Sequence, residues 1–337
     1  MSLRLYYYKA REGNFGDDLN RWIWERLAPG VWEERSETIF LGIGTIIGNP
    51  MPPARKAIVF SSGFGYSRPP ADWGSERWEV AAVRGPLTAR ALGLAEESVV
   101  ADGALLLRFI PEFAPIAESK RRGVVFVPHH FAARFGEWVK VAEGAGVEMV
   151  DPREESRRVI HRLRAARLVL ADSMHAAVIA DLLRVPWVSV ATSPEFSTFK
   201  WLDWSIALGL KLETTVLVAP SLRTAYDGWA IRLLHLDHLV QPISLEGAFA
   251  KQAMAVAPRS GRKATFMRAG PARTFGHHLG RLVTQRMDVT RCNRTADQLR
   301  EVARGSGSLS SESIVQAKAE ELLERLRAVV AKHGSRR

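Results

Sequence analysis

The stretch DSMHAAVIADLLRVPW, Asp172 to Trp187, decides the fold. Residues 166–171 before it form a short apolar run that reads as a strand. Residues 176–183 read as an apolar helix, and 185–190 begin a further strand. Strand, turn, helix and strand in so few residues is the unit of a parallel sheet. His175 then falls at a strand's carboxyl end and in the first turn of a helix. In open α/β sheets, ligands bind there.

The same pattern extends in both directions. Residues 3–8 read as a strand, and 17–27 as a helix with Leu19, Trp22, Ile23 and Leu27 at helical spacing. Short strands at 38–41 and 57–60 run into the glycine turns Gly42-Ile43-Gly44 and Ser61-Ser62-Gly63-Phe64-Gly65. A strand at 79–83 precedes Pro86, which opens a helix to Leu92, and 98–100 leads to Asp102-Gly103. Residues 111–122, with two prolines and a basic cluster, read as a linker. Beyond it come a strand at 123–127 ending in Pro128-His129-His130, a helix at 135–142, a strand at 147–150 and helices at 153–164 and 198–209. The expected fold is α/β, with Rossmann-like domains over 1–112 and 120–245 facing a cleft, and a basic, partly helical extension over 246–337. Within and before that extension, 229–239 and 313–331 read as helices, the latter capped by Ser310 or Ser311. Residues 257–276 are basic and glycine-containing, and 305–311 read as a flexible link.

Composition narrows the function classes. A chain of 337 residues, 47% hydrophobic, suits globular domains with real cores and excludes a largely disordered protein. No run approaches the roughly 18 apolar residues of a spanning helix, and the aromatic N-terminus lacks the apolar centre of a signal peptide. The single cysteine, Cys292, excludes an internal disulfide. The expected compartment is the cytoplasm. The net charge of +11 belongs to the region from residue 251 onward, where 18 Lys and Arg face 7 Asp and Glu. Such a region attracts anionic lipid or nucleic acid, or is a solvated extension without a specific partner.

Several polar groups stand at strand ends. Gly13-Asn14-Phe15-Gly16-Asp17-Asp18 joins the first strand to the first helix, but its carboxylates occupy the place a phosphate would take. Asp17 either hydrogen-bonds a sugar hydroxyl or caps the helix. Arg84, ahead of Gly85-Pro86, either grips a carboxylate or phosphate or pairs with a carboxylate of its own domain such as Asp102. His129 and His130 are adjacent in an extended segment and make a poor chelating pair, so no metal is expected. One of them can donate to an anionic substrate. His175 suits general acid–base work because imidazole titrates near neutrality. Lys200, beside Trp201 and Trp204, suits phosphate as a point charge.

Taken together, Asn14-Phe15-Gly16-Asp17-Asp18-Leu19-Asn20, Ser62-Gly63-Phe64-Gly65, Arg84-Gly85-Pro86-Leu87-Thr88-Ala89, Asp172-Ser173-Met174-His175-Ala176-Ala177 and Arg184-Val185-Pro186-Trp187 resemble the polysaccharide pyruvyltransferase family, in particular its exopolysaccharide members of the succinoglycan and xanthan type. Lys200-Trp201-Leu202-Asp203-Trp204 is similar to that group as well, so the resemblance runs to about residue 210. It implies a glycosyltransferase-B-like pair of domains. It also implies transfer of pyruvate from phosphoenolpyruvate, as co-substrate and without a tightly bound cofactor, onto two hydroxyls of a sugar. His175 is then the catalytic residue. Arg84, His129, His130, Ser173 and Lys200 are the donor-binding candidates, and Asn14, Asp17, Gly63 and Phe64 the acceptor-binding ones. The family often carries arginine two positions before the histidine, where this chain has Ser173, so either the donor's anion contact moves to Arg84, His129, His130 or Lys200 or the donor is held differently. The implied acceptor is a glycan or glycolipid at the inner face of the plasma membrane, with residues 251–337 as a peripheral contact to anionic lipid and no nucleic acid as partner. Two rivals stand beside this reading. One is a nucleotide-sugar-dependent glycosyltransferase of the same fold, with Glu195 for the ribose. The other is a non-catalytic binder of anionic glycans or nucleic acid.

Overall fold

Four parallel strands make the first sheet, in the order β1 (Arg4–Tyr6), β2 (Thr38–Leu41), β3 (Lys56–Ser62), β4 (Trp78–Val83). The second sheet holds β5 (Arg122–Val127), β6 (Glu148–Met149), β7 (Ala166–Ala171), β8 (Trp187–Ala191) and β9 (Thr214–Val216) in the order β6-β5-β7-β8-β9, again all parallel. The computed structural model describes residues 2–134, 137–256 and 281–334. Both sheets are apolar along their strands because helices cover their faces, as parallel sheets require. The chain leaves β5 for β6 on one side and returns to β7 on the other. The strand order therefore reverses between β5 and β7, and the crevice beyond their carboxyl ends is where such sheets hold ligands.

The helix of the opening stretch, α6 (Met174–Leu182), is buried at every position. It has no polar face because it packs on β7 and β8, on α5 (Ser156–Ala165), and on a 3-10 helix of the first half, Gly103–Phe109. One buried cluster accordingly runs through both halves, from Leu3, Phe40 and Phe60 to Val169, Val178 and Trp204. Each such large side chain stabilises the fold by roughly 1.5–3 kcal/mol relative to exposure. Asp181, the acid inside α6, is buried but satisfied: it accepts from Trp187 Nε1 at 3.0 Å, Ser310 N at 2.8 Å and Ser310 Oγ.

Several elements differ from the sequence expectation. The helix expected at 17–27 is three pieces, α1 (Phe15–Asp18), a 3-10 turn Leu19–Arg21 and α2 (Ile23–Leu27). Asn20 is the reason: its amide donates to Asp17 O and Ile43 O, both at 2.9 Å, and accepts from Ile43 N and Trp24 Nε1. That staple to the turn after β2 replaces regular helical bonds. The strand expected at 98–100 is a 3-10 turn, Glu96–Ser98, after which Val99 bridges Val83. Helix α3 (Pro86–Leu92) starts on its proline, as expected. The expected linker contains two 3-10 turns, and Arg121 within it is buried, donating to Ile116 O, Leu183 O and Arg184 O. Helix α4 (Glu137–Ala145) follows, and α5 begins three residues later than expected because Glu155 caps it by accepting from Arg158 N.

After α7 (Thr198–Ala207) comes α8 (Leu222–Leu233), where a helix at 229–239 was expected. Ser221 starts it by accepting from Thr224 N, and His235 ends it in the left-handed region, with Leu236 N reaching back to Ile231 O. Helix α9 (Leu245–Val256) lies against α7, and α10 (Arg281–Val302) against α4. The basic stretch 257–276 lies outside the described residues. The expected flexible link at 305–311 is instead tethered, Ser308 pairing with Trp187 and Ser310 with Asp181. Helix α11 (Glu312–His333) follows; Ser311 holds its cap position without a capping bond. Arg325 of α11 donates to Ala81 O and Glu97 O, which sets this helix against the first sheet. Among the described residues no helix is long and apolar enough to cross a membrane.

Candidate active site

A cavity of about 370 Å³ opens where the carboxyl ends of both sheets meet. Its second-half wall is the strand-order reversal itself. Asp172 N and Ser173 N donate to Val127 O, holding the end of β7 against the end of β5. The Asp172 carboxylate accepts from His129 N at 2.8 Å and from Thr192 Oγ1, tying in β8 as well. It is buried, and desolvation pushes its pKa up to about 6 against those hydrogen bonds. Three strand ends are thus fixed around one carboxyl. His129, His130, Ser173, His175 and Glu195 hang from them into the cavity wall.

His175 is 8% exposed, and its Nε2 has no hydrogen-bond partner among the described residues. Its ring lies on Gly16, where a Cβ would overlap the imidazole. Glycine in the Asn14–Asn20 motif therefore provides close approach between the two halves, not a phosphate cradle. Burial, then Lys200 and Arg84, push the His175 pKa down to about 3, so the imidazole is neutral. His130 is lowered to about 4 by burial, then by Lys200 and Arg134. His129 is held well below its ordinary range by burial, then by His130 and Lys200, and its Nδ1 has no partner among the described residues either.

The first half contributes Asn14 and Asp17. Asn14, not Asp17, caps α1, its side-chain oxygen accepting from Gly16 N. Asp17 is released from capping. Its Oδ2 accepts from Asn14 Nδ2 at 2.6 Å, and it is 8% exposed. Burial raises its pKa from 3.8 to about 7, with Lys200 pulling the other way. A carboxyl that holds a proton near neutral pH and a neutral imidazole therefore line the same cavity.

Lys200, in the first turn of α7, is the cation between them. Its Nζ donates to the Tyr66 hydroxyl at 2.9 Å and sits 4.9 Å from that ring's centroid. It makes no salt bridge among the described residues, and its field lowers the pKa of Asp17 and of His129, His130 and His175. An anion entering the cavity meets an unneutralised ammonium.

Three of the candidates read from the sequence are not on the cavity wall. Arg84 is fully buried behind it, donating from Nε to Asp203 Oδ2 at 2.9 Å and from Nη1 to Thr45 Oγ1 at 2.7 Å. Its partner is Asp203 of the other half, not Asp102; Nε and Nη1 are committed to that carboxylate and to Thr45, while Nη2 is buried without a partner among the described residues. Thr88 N and Oγ1 complete Asp203. Gly63 makes room for the guanidinium, which a Cβ there would overlap. Phe64 is core, packed with Ile47, Val59 and Val83. The wall also holds residues the sequence reading passed over: Tyr8, Thr45, Asn49, Tyr66, Met174 and His238. Tyr66 and Thr45 each follow a glycine of a turn already singled out, which is a usable signal. His238 has none, since it lies in the irregular segment after α8, where Pro194 O holds its backbone N–H.

The sequence profile of a family described as polysaccharide pyruvyl transferase matches residues 14–194, more than half of this chain and the stretch that carries most of the cavity. The chain is also similar to succinoglycan biosynthesis protein ExoV of Rhizobium meliloti (strain 1021), at 40% identity over 209 residues. That match covers 62% of this chain and 66% of the relative, just under two thirds of its length.

Proposed function

The chain belongs to the polysaccharide pyruvyl transferase family, and from that premise we propose that it transfers pyruvate from phosphoenolpyruvate to two hydroxyls of a sugar in an exopolysaccharide repeat unit, releasing phosphate and leaving a cyclic ketal. The two sheets with the cavity between them are read as a glycosyltransferase-B-like pair, and the acceptor as lipid-linked. The observation that carries the proposal is the juxtaposition in one cavity of a neutral, unpartnered imidazole, a proton-holding carboxyl and an unneutralised ammonium.

Each group has a task in the chemistry. The donor's methylene carbon must gain a proton, and its C2 must gain the first sugar oxygen, which loses one. Asp17, protonated near neutral pH, supplies the first proton; His175, neutral, takes the second. The donor's own negative charges, bound beside the ring, favour the imidazolium that results. The second hydroxyl then displaces phosphate at C2, and its proton departs with the phosphate. Lys200, with His129, His130 and the Ser173 hydroxyl, holds the donor's anionic groups. Ser173 suits this because its side chain makes no cap bond to α6.

Acceptor-dependent phosphate release from phosphoenolpyruvate tests the proposal. Wild type releases phosphate with a bacterial glycolipid acceptor, and His175→Ala loses on the order of 10²–10⁴ of that rate. Glu195, whose pKa burial raises and which lines the cavity, keeps one rival specific. Release of a nucleoside diphosphate from a nucleotide sugar, with phosphoenolpyruvate untouched, replaces pyruvyl transfer by glycosyl transfer.

A further inference from the structure

Three neighbouring strands, β5, β7 and β8, deliver polar groups to the cavity, and the chemistry above uses those of the first two. His129 and His130 follow β5, Ser173 and His175 follow β7, and Glu195 follows β8. The Glu195 carboxylate is half-buried, and among the described residues it accepts no hydrogen bond and makes no ion pair. Burial raises its pKa, and the cation whose field reaches it, Arg134, is bonded instead to Glu12 at 2.9 Å. The loop that carries it is fixed from several sides. Glu195 N donates to Ser193 Oγ at 3.2 Å, and Pro194 O accepts from His238 N at 2.8 Å and from Leu239 N at 3.0 Å. Phe196 stacks on Trp201 with centroids 5.1 Å apart. A positioned carboxylate with about four lone-pair sites therefore faces whatever enters.

The cavity is divided electrostatically. Lys200 lowers the pKa of Asp17, His129, His130 and His175, whereas the charges that act on Glu195 are Arg134 and Asp227. The ammonium governs the end suited to an anion. Glu195 marks an end of negative charge, to which Asp227 adds. The cavity's aromatic side chains divide as well. Tyr66 is covered by Lys200 and edged by His238, and Phe131 lies against His130 and Arg134. Tyr8, which follows β1 in the first half, lines the cavity 46% exposed, with no such contact to its ring among the described residues. A pyranose offers donating hydroxyls around its rim and C–H groups on its faces. A bare carboxylate and an open aromatic ring match those two features.

We propose that Glu195 and Tyr8 form the subsite for the acceptor sugar and select an uncharged one, the carboxylate accepting hydrogen bonds from its hydroxyls and the ring lying against a C–H face. The assignment rests on the pyruvyl-transfer reading for the reaction that follows binding. It takes the place of Gly63 and Phe64, which lie behind the wall. Hydroxyls that donate to a carboxylate make charge-assisted bonds, roughly twice as strong as neutral ones. An acidic sugar instead brings like charge toward Glu195 and Asp227, and such repulsion sets specificity as much as attraction does. Glu195 binds and orients the hydroxyl-bearing partner and takes no proton in the reaction.

Two measurements on the full chain test the proposal, the first without turnover. Saturation-transfer NMR, with no phosphoenolpyruvate present, compares methyl β-glucoside and methyl β-galactoside with the anionic methyl β-glucuronide. Wild type transfers saturation to the neutral glycosides and much less to the glucuronide. Glu195→Gln weakens transfer to the neutral pair and discriminates less against the glucuronide. In phosphate-release kinetics with a glycolipid acceptor, Glu195→Gln raises the acceptor KM about tenfold, the loss expected when a charged hydrogen-bond acceptor becomes neutral, and leaves the donor KM within about twofold. Tyr8→Ala raises the acceptor KM about fivefold, while Tyr8→Phe, which keeps the ring, stays near wild type. The proposal is overturned by the absence of transfer to the neutral glycosides in wild type, by an acceptor KM that Glu195→Gln leaves unmoved, or by a rise in donor KM in its place. It is also overturned by transfer to the ribose of uridine diphosphate that Glu195→Gln removes, which assigns the carboxylate to a nucleotide. Wild type that binds the neutral glycosides as described but releases no phosphate from phosphoenolpyruvate refutes the pyruvyl-transfer reading and leaves the sugar subsite standing.

Discussion

Replacing Asp17 by asparagine isolates the electrostatic cost of the cavity. The Asp17 carboxyl is raised from 3.8 to about 7 by burial, so the folded protein holds a proton there that the unfolded chain has already released. At about 1.4 kcal/mol per tenfold change in proton affinity, ionising Asp17 costs the folded state on the order of 4 kcal/mol more than the unfolded one. Because the folded pKa is the higher one, stability falls as pH rises from about 4 to about 7 and is level above that. The amide of Asp17→Asn has no proton to lose in this range. It still offers its side-chain oxygen to Asn14 Nδ2, which donates to Asp17 Oδ2 at 2.6 Å in the wild type. In urea unfolding, the stability of Asp17→Asn relative to wild type should therefore grow by roughly 2–3 kcal/mol between about pH 5 and about pH 8. Taking the difference between the two proteins cancels Asp172, which is raised to about 6 and titrates in both. A gap that stays constant with pH, or narrows as pH rises, refutes the claim that Asp17 is the cavity's proton-holding group.

Gly16→Ala drives a Cβ into the ring and against the Cβ of buried His175, so it should lower phosphate release about 10²-fold and also lower the melting temperature, since overpacking costs roughly 1–3 kcal/mol and small displacements of reacting groups are costly. Arg84→Met leaves Asp203 buried without its counter-charge, so the unfolding free energy measured in urea should drop by about 3–5 kcal/mol while the donor KM stays near wild type. An intact midpoint with a raised KM would instead restore Arg84 as a donor ligand. Lys200→Met removes the cation that lowers His129, His130, His175 and Asp17, so both limbs of the pH–rate profile should move to higher pH and the donor KM should rise. An unmoved profile would remove Lys200 from the cavity's electrostatics.

Much of the second half was legible because its strands are apolar runs that stop at polar residues. Val127-Pro128-His129 and Ala171-Asp172-Ser173 announce strand ends whatever lies beside them. The family resemblance read from those strand ends and from the Asn14–Asn20 motif is borne out by the match over 14–194. The spatial order that places β5 beside β7 is not written locally, so the sequence could nominate His129 and His175 separately but not join them through Asp172. Arg84 shows a different barrier. An arginine before Gly-Pro looks the same whether it grips a ligand or a buried carboxylate, and its carboxylate lies 119 residues away. Asp17 was ambiguous between capping and the cavity until Asn14 was seen to cap. Helix α8 was misplaced because its apolar spacing continues through Leu236, whereas its end is set by the backbone of His235.

The Arg84–Asp203 pair bears on how such a protein can be reassembled. Each half contributes one charge to a site with no exposed surface, and Gly63 and Gly85 are shaped around the pair. The halves are consequently not interchangeable parts. A recombinant that joined this first half to the second half of a distant relative would seal a guanidinium against whatever that relative carries in place of Asp203. Only recombinants that inherit Asp203 with Arg84, and Gly85 with both, preserve the fit. The junction between the halves is thus a lock whose parts must be kept together.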